Sequence, residues 1–129
     1  MPQENPVEVV QAWVAAANAQ GIGRLVALSD PEIEVGGPRG TGRGSQLLRD
    51  WMGRAGLTLQ TQRTFARGNT VVLEQRGVWR SLETGEITGE RILASLFQVV
   101  GQRVVKFARY DGLDEALAAG ELSLADQAI

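Results

Sequence analysis

The stretch ITGERILASLFQVVGQRVVKFARY, residues 87–110, holds two strand-like runs, 87–100 and 103–110, parted only by Gly101 and Gln102. A two-residue break between long runs is the signature of adjacent antiparallel strands. By strict alternation, Arg91, Leu93, Ser95, Phe97 and Val99 share one face of the first run, and Ile92, Ala94 and Leu96 share the other. Both faces are mostly apolar, so both are expected to be covered. Helices suffice for one face. A second copy of the chain is the simplest cover for the other, which predicts a homodimer through the outer face of the sheet.

Working back, residues 57–66 and 70–80 read as two further strands, closed by turns at 67–69 and 82–86. Before residue 57 the periodicity is helical. Asn5 caps, Pro6 suits the first helical position, and Glu8 fits a capping box. Val7, Val10, Val14 and Ala17 then recur on one stripe beside Trp13, with Gly21 as the expected C-terminal cap. A short helix over 23–28 stops at Pro31, and 32–35 reads as a short strand. Residues 36–44, five of them glycine, read as a loop, after which Ser45 caps a third helix bearing Leu47, Leu48, Trp51, Met52 and Ala55. A last helix over 111–119 is closed by Gly120, and 121–129 is either one more turn or a loose tail. Helices followed by a run of strands give an α+β domain spanning 1–129: a curved antiparallel or mixed sheet wrapped around N-terminal helices.

The chain has 129 residues, no cysteine and no histidine. That removes thiolate or imidazole metal sites, disulfides, and every triad built on a histidine base. No cofactor or metal is expected. A net charge of −2, with thirteen basic residues scattered among fifteen acidic ones, is no footprint for nucleic acid. No apolar run is long enough for a membrane span, and residues 1–6 have no signal-peptide character, so a cytoplasmic protein is expected.

Three stretches carry a family resemblance: Trp13 to Ile22, Val35 to Pro38 with Gly42 and the helix after it, and Val104 to Asp111 running into 114–120. Over nearly its whole length the chain resembles the nuclear transport factor two-like superfamily in its SnoaL-like branch. The resemblance implies a cone, open at one end and commonly dimeric, used by isomerases, epoxide hydrolases, cyclases, dehydratases and non-catalytic binders. The positions that carry catalysis in those branches are altered here. Where the ketosteroid isomerase branch has a loop aspartate before a proline, Gly37 precedes Pro38, and its oxyanion-binding tyrosine and aspartic acid align with Trp13 and Ser95. The limonene epoxide hydrolase relay aligns with Gln75, Gly77 and Arg109. An essential cyclase acid in the pocket is likewise at odds with Arg109.

Several motifs have plainer explanations. The glycine run lacks both GxGxxG and a P-loop lysine, so turn formation explains it better than phosphate binding. Glu32 and Glu34 suit the exposed face of an edge strand, and Glu74, Arg76 and Arg80 suit cross-strand or interface pairing. On the opposite face, Gln75, Trp79, Arg91, Ser95 and Arg109 form the expected pocket lining, with Trp13 either in the core or at its mouth. Arg91 and Arg109 can fork onto a carboxylate, or pair internally with Glu34 or Asp111. The expected function is a small-molecule-binding pocket protein without the catalytic residues of known branches. The alternatives are an isomerase, dehydratase or hydrolase acting on a small apolar, acidic substrate, and a non-catalytic protein-interaction module.

Overall fold

A computed structural model describes residues 5–37 and 40–128, without the side chains of residues 37 and 51–55. The elements are α1 (Pro6–Asn18), α2 (Ile22–Ala27), β1 (Ser29–Gly37), β2 (Gly40–Arg43), α3 (Ser45–Ala55), β3 (Leu57–Arg67), β4 (Thr70–Arg80), β5 (Ile87–Val100), β6 (Arg103–Tyr110) and α4 (Leu113–Gly120). A single 3₁₀ turn, Leu124–Asp126, follows. The six strands form one sheet in the order β2-β1-β6-β5-β4-β3. Strands β3 to β6 are the expected antiparallel meander. β1 joins β6 in parallel, with Val35 opposite Phe107, which makes the sheet mixed.

α1 presents the predicted stripe to one face of this sheet. Asn5 caps it by accepting the Val7 N–H at 2.9 Å. Trp13 is fully buried there, its ring centroid 5.2 Å from that of Phe97 and 4.9 Å from that of Phe107. Each such aromatic pair adds about 1 kcal/mol beyond its buried area. The indole N–H donates to Ser29 Oγ at 2.9 Å, and that hydroxyl donates to the Leu25 carbonyl at 2.8 Å, which ties α1 to α2 and β1.

The outer face of the sheet has its own cover. Ala116, Leu117 and Leu122, from α4 and the residue pair after it, pack with Phe65, Val72, Ala94 and Leu96. Two of the three apolar residues that suggested a second copy, Ala94 and Leu96, are therefore covered from within the chain, while Ile92 stays 54% exposed.

Several expectations need correction at the element ends. α1 is capped by Gln20, at φ 60°, not by Gly21. The Gln20 and Gly21 N–H groups bond to the carbonyls of Ala17 and Ala16 in a Schellman pattern. Gly21 is instead the N-cap of α2, which follows at once. The glycine-rich stretch is not a loop: Glu34 to Gly37 pair antiparallel with Gly40 to Arg43, as β1 and β2. Pro38 and Arg39 at its tip lie outside the described residues. β1 is consequently flanked by β2 from Glu34 onward, so Glu34 is not on the sheet edge expected for it, whereas Glu32 precedes that pairing. Gly44, at φ 106°, is the N-cap of α3 where Ser45 was expected. Glu121, at φ 59°, rather than Gly120, turns the chain out of α4. A methyl on Gly120 would lie 3.0 Å from Leu96 Cδ1 and from Thr70 Cγ2, so this glycine serves the close approach of helix to sheet. Beyond it, Gln127 bridges to Phe65 and the Ala128 N–H reaches the Thr64 carbonyl at 2.7 Å.

Candidate functional site

The register shows which side chains share a face. Gln75 lies opposite Leu93, Gly77 opposite Arg91, Trp79 opposite Gly89, and Leu73 opposite Ser95. Ser95 in turn lies opposite Arg109, and Phe97 opposite Phe107. Directly opposed residues point the same way, so Gln75, Trp79, Arg91, Ser95 and Arg109 all lie on the concave face that packs α1. Trp13 lies among them only as core.

At depth, Gln75 and Ser95 are fully buried and partner one another. The Ser95 hydroxyl donates to Gln75 Oε1 at 2.7 Å, and Gln75 Nε2 donates to Thr61 Oγ1 at a long 3.4 Å. Neither group titrates, and no buried side-chain nitrogen or oxygen among the described residues lacks a partner. This polar row satisfies itself across β3, β4 and β5 and offers no acid or base.

Nearer the mouth the arrangement is different. A methyl at Gly77 would lie 3.4 Å from Trp79 Cη2, and one at Gly89 would lie 3.9 Å from Trp79 Cε3. The absence of side chains at these two positions lets the indole lie against the sheet. Arg109 starts far away: its opposite residue, Ser95, is six residues along β5 from Gly89, roughly 20 Å of extended strand. Yet its guanidinium carbon stands 5.9 Å from the Trp79 ring centroid, within cation–π range. The two long side chains run toward each other along the concave face. Arg109 is half-buried and has no carboxylate partner among the described residues.

Arg91 is committed elsewhere. Its guanidinium stands 3.3 Å from Asp111, with both side chains about half exposed at 55% and 53%. A pair this exposed contributes under about 1 kcal/mol. Of the two arginines expected to act together, one is paired at the rim and the other lies over an aromatic ring. Glu34, the other expected internal partner, bonds instead to Lys106 at 3.3 Å and Arg43 at 3.6 Å on the outer face. The side chains of Trp51 and Met52, expected on the third helix, lie outside the described residues.

A crevice of about 280 Å³ opens on the outer face, between the start of α4 and strands β1, β2 and β6. Glu34, Gly36, Thr41, Lys106, Ala108, Tyr110 and Glu115 line it, together with Arg109 and Asp111. No local pattern marks it, because it exists only through the parallel pairing of β1 with β6 and the docking of α4. No group of three or more metal-ligating carboxylates is found among the described residues. No helix there is long and apolar enough to cross a membrane.

No protein-family model matches the chain, and no curated protein does. Solved structures do match. An NTF2-like protein from Burkholderia xenovorans is 22% identical, with a TM-score of 0.68 over 93% of this chain and 98% of that one. A protein with a ketosteroid isomerase-like fold from Catenulispora acidiphila, in complex with trimethylamine, is 20% identical, with a TM-score of 0.69 over 90% and 94%. TerC, co-crystallised with polyporic acid, is 16% identical, with a TM-score of 0.72 over 91% and 96%. The fold is thus that of the nuclear transport factor two-like proteins, as the three sequence stretches implied.

Proposed function

We propose that this chain is a small-molecule-binding protein of the SnoaL-like type, taking a small apolar ligand with an acidic group at the mouth of its concave face. The observation that carries the reading is the Arg109 guanidinium, half-buried over the Trp79 ring with no carboxylate partner among the described residues. A carboxylate docked there gains a forked, charge-assisted pair, while the indole supports its apolar body. Arg91 adds a second positive charge at the rim, since its exposed pairing with Asp111 is easily exchanged. Two solved structures of the same fold hold small molecules, trimethylamine and polyporic acid, which supports a ligand site on this scaffold. An enzymatic role has less support, because Gln75 and Ser95 at depth offer neither a general acid nor a general base that works near neutral pH.

A thermal-shift titration with small aromatic and terpenoid carboxylic acids tests the reading. A ligand at a hundred times its Kd stabilises by about 2.7 kcal/mol, several degrees in Tm for a domain of this size. Arg109→Ala is expected to weaken binding at least tenfold, with Trp79→Ala weakening it for apolar and acidic portions alike. Equal shifts in parent and Arg109→Ala protein would refute the reading.

We further propose a homodimer formed through the part of the outer face that α4 leaves open. Ile92 stands exposed there, beside the cross-strand pairs Arg63–Glu74 and Arg76–Glu90. A self-complementary patch of this kind, apolar with charges of both signs, suits an isologous contact.

A further inference from the structure

We propose that the crevice on the outer face is a second ligand site, taking one small uncharged polyol of about monosaccharide size. It lies across the sheet from the concave-face site and shares Arg109 with it, whose guanidinium is turned to that other face over Trp79. Its volume of about 280 Å³ is close to the lower end of ligand pockets, about 300 Å³. The floor is kept low by Gly36 and Ala108. A methyl at Gly36 would stand 3.3 Å from Thr41 Oγ1 and 3.6 Å from Ala108 Cβ, so any side chain there would fill the base of the crevice.

Apart from Glu115, the lining charges are already matched or turned away. Glu34 holds Lys106 and Arg43, Asp111 faces Arg91, and the Arg109 guanidinium is on the far face over Trp79. Three polar groups in the crevice have no protein partner among the described residues and are left to solvent: the exposed Thr41 hydroxyl, the half-buried Tyr110 hydroxyl and the exposed Glu115 carboxylate. Hydroxyls donate and accept, whereas a carboxylate only accepts. An anion entering here would meet Glu115, and the Lys106 ammonium that could offset this is already held by Glu34. A polyol satisfies all three groups without introducing charge: its hydroxyls donate to Glu115 and exchange bonds with Thr41 and Tyr110. Its C–H face can rest on the Tyr110 ring, which packs against the α4 cluster.

Saturation-transfer NMR on the intact chain tests this with D-glucose and myo-inositol, against choline and acetate as charged probes. The expected result is transfer to the polyols alone. Tyr110→Phe and Glu115→Gln should each weaken it about tenfold, the worth of one hydrogen bond that involves a charge or a shielded hydroxyl. Tyr110→Phe removes a hydroxyl with no internal partner, so its Tm should match the parent, which separates lost binding from lost folding. No transfer to either polyol, undiminished transfer in both variants, or transfer to choline or acetate in place of the polyols would overturn the proposal.

Discussion

Arg63 and Glu74 face each other across β3 and β4 in a two-pronged contact, Nε to Oε1 at 2.8 Å and Nη2 to Oε2 at 3.0 Å. The hydrogen bond from Arg63, helped by its charge and opposed by partial burial, holds the Glu74 carboxyl below its ordinary value. A depressed carboxyl contributes stability that is complete above the unfolded-state value and fades as pH falls through the folded one. Glu74→Gln should therefore cost up to about 1 kcal/mol at neutral pH, with the cost disappearing in acid. Urea unfolding of both proteins at about pH 7 and about pH 3 measures this; an equal cost at both would assign the loss to packing. The cross-strand pairing of Glu74 and Arg76 is legible in the sequence, because strict alternation puts them opposite the pocket residues and next to oppositely charged neighbours. The meeting of Arg109 with Trp79 is not legible. It depends on sheet curvature and on two glycines in different strands, and alternation says nothing of how far a long side chain travels along its own face.

Among the elements, β3 shows how an exposed sheet edge is managed. The Asn18 side chain, at the end of α1, donates to the Leu59 carbonyl and accepts the Leu59 N–H, both at 2.8 Å. Its carboxamide thus stands in for a residue of a neighbouring strand. At the other end of β3, Gln127 and Ala128 pair with Phe65 and Thr64. An edge occupied at two points is a poor template for another chain. Asn18→Ala leaves a backbone donor and acceptor half-buried without partners, and is expected to cost about 2 kcal/mol. Chemical denaturation checks the cost, and Asn18→Asp, which keeps the acceptor and loses the donor, should fall between the two. The four strands of the meander, β3 to β6, are readable to within a residue or so, since long alternating runs and short turns leave little freedom, whereas β1 runs beyond the expected 32–35 at both ends and β2 falls in the stretch expected to be a loop. Helix ends were not. Gln20, Gly44 and Glu121 hold the terminal positions expected of Gly21, Ser45 and Gly120, because a cap is chosen by the angle at which the next element docks, which local sequence does not encode.

For the whole molecule, the apolar outer face of β5 was readable, but its cover was only half foreseen. α4 takes Ala94 and Leu96, and Ile92 is left exposed, where the proposed second copy would sit. Ile92→Glu is expected to convert the proposed dimer to a monomer with little loss of fold, as read by light scattering after size exclusion. A parent protein that is monomeric at high concentration would remove the dimer from the account. The parallel join of β1 to β6 was beyond local pattern altogether, since neither strand carries a mark of its partner. It also sets an order of events during synthesis. Ser29 pairs with Val104, and Val35 with Phe107, so β1 leaves the ribosome long before its partner exists. The N-terminal helices and the β1–β2 hairpin must wait, with their apolar stripe exposed, until the meander behind them is nearly finished. A nascent chain arrested short of β6 would therefore be a client for chaperones, whereas the same chain released a few residues later could close on itself.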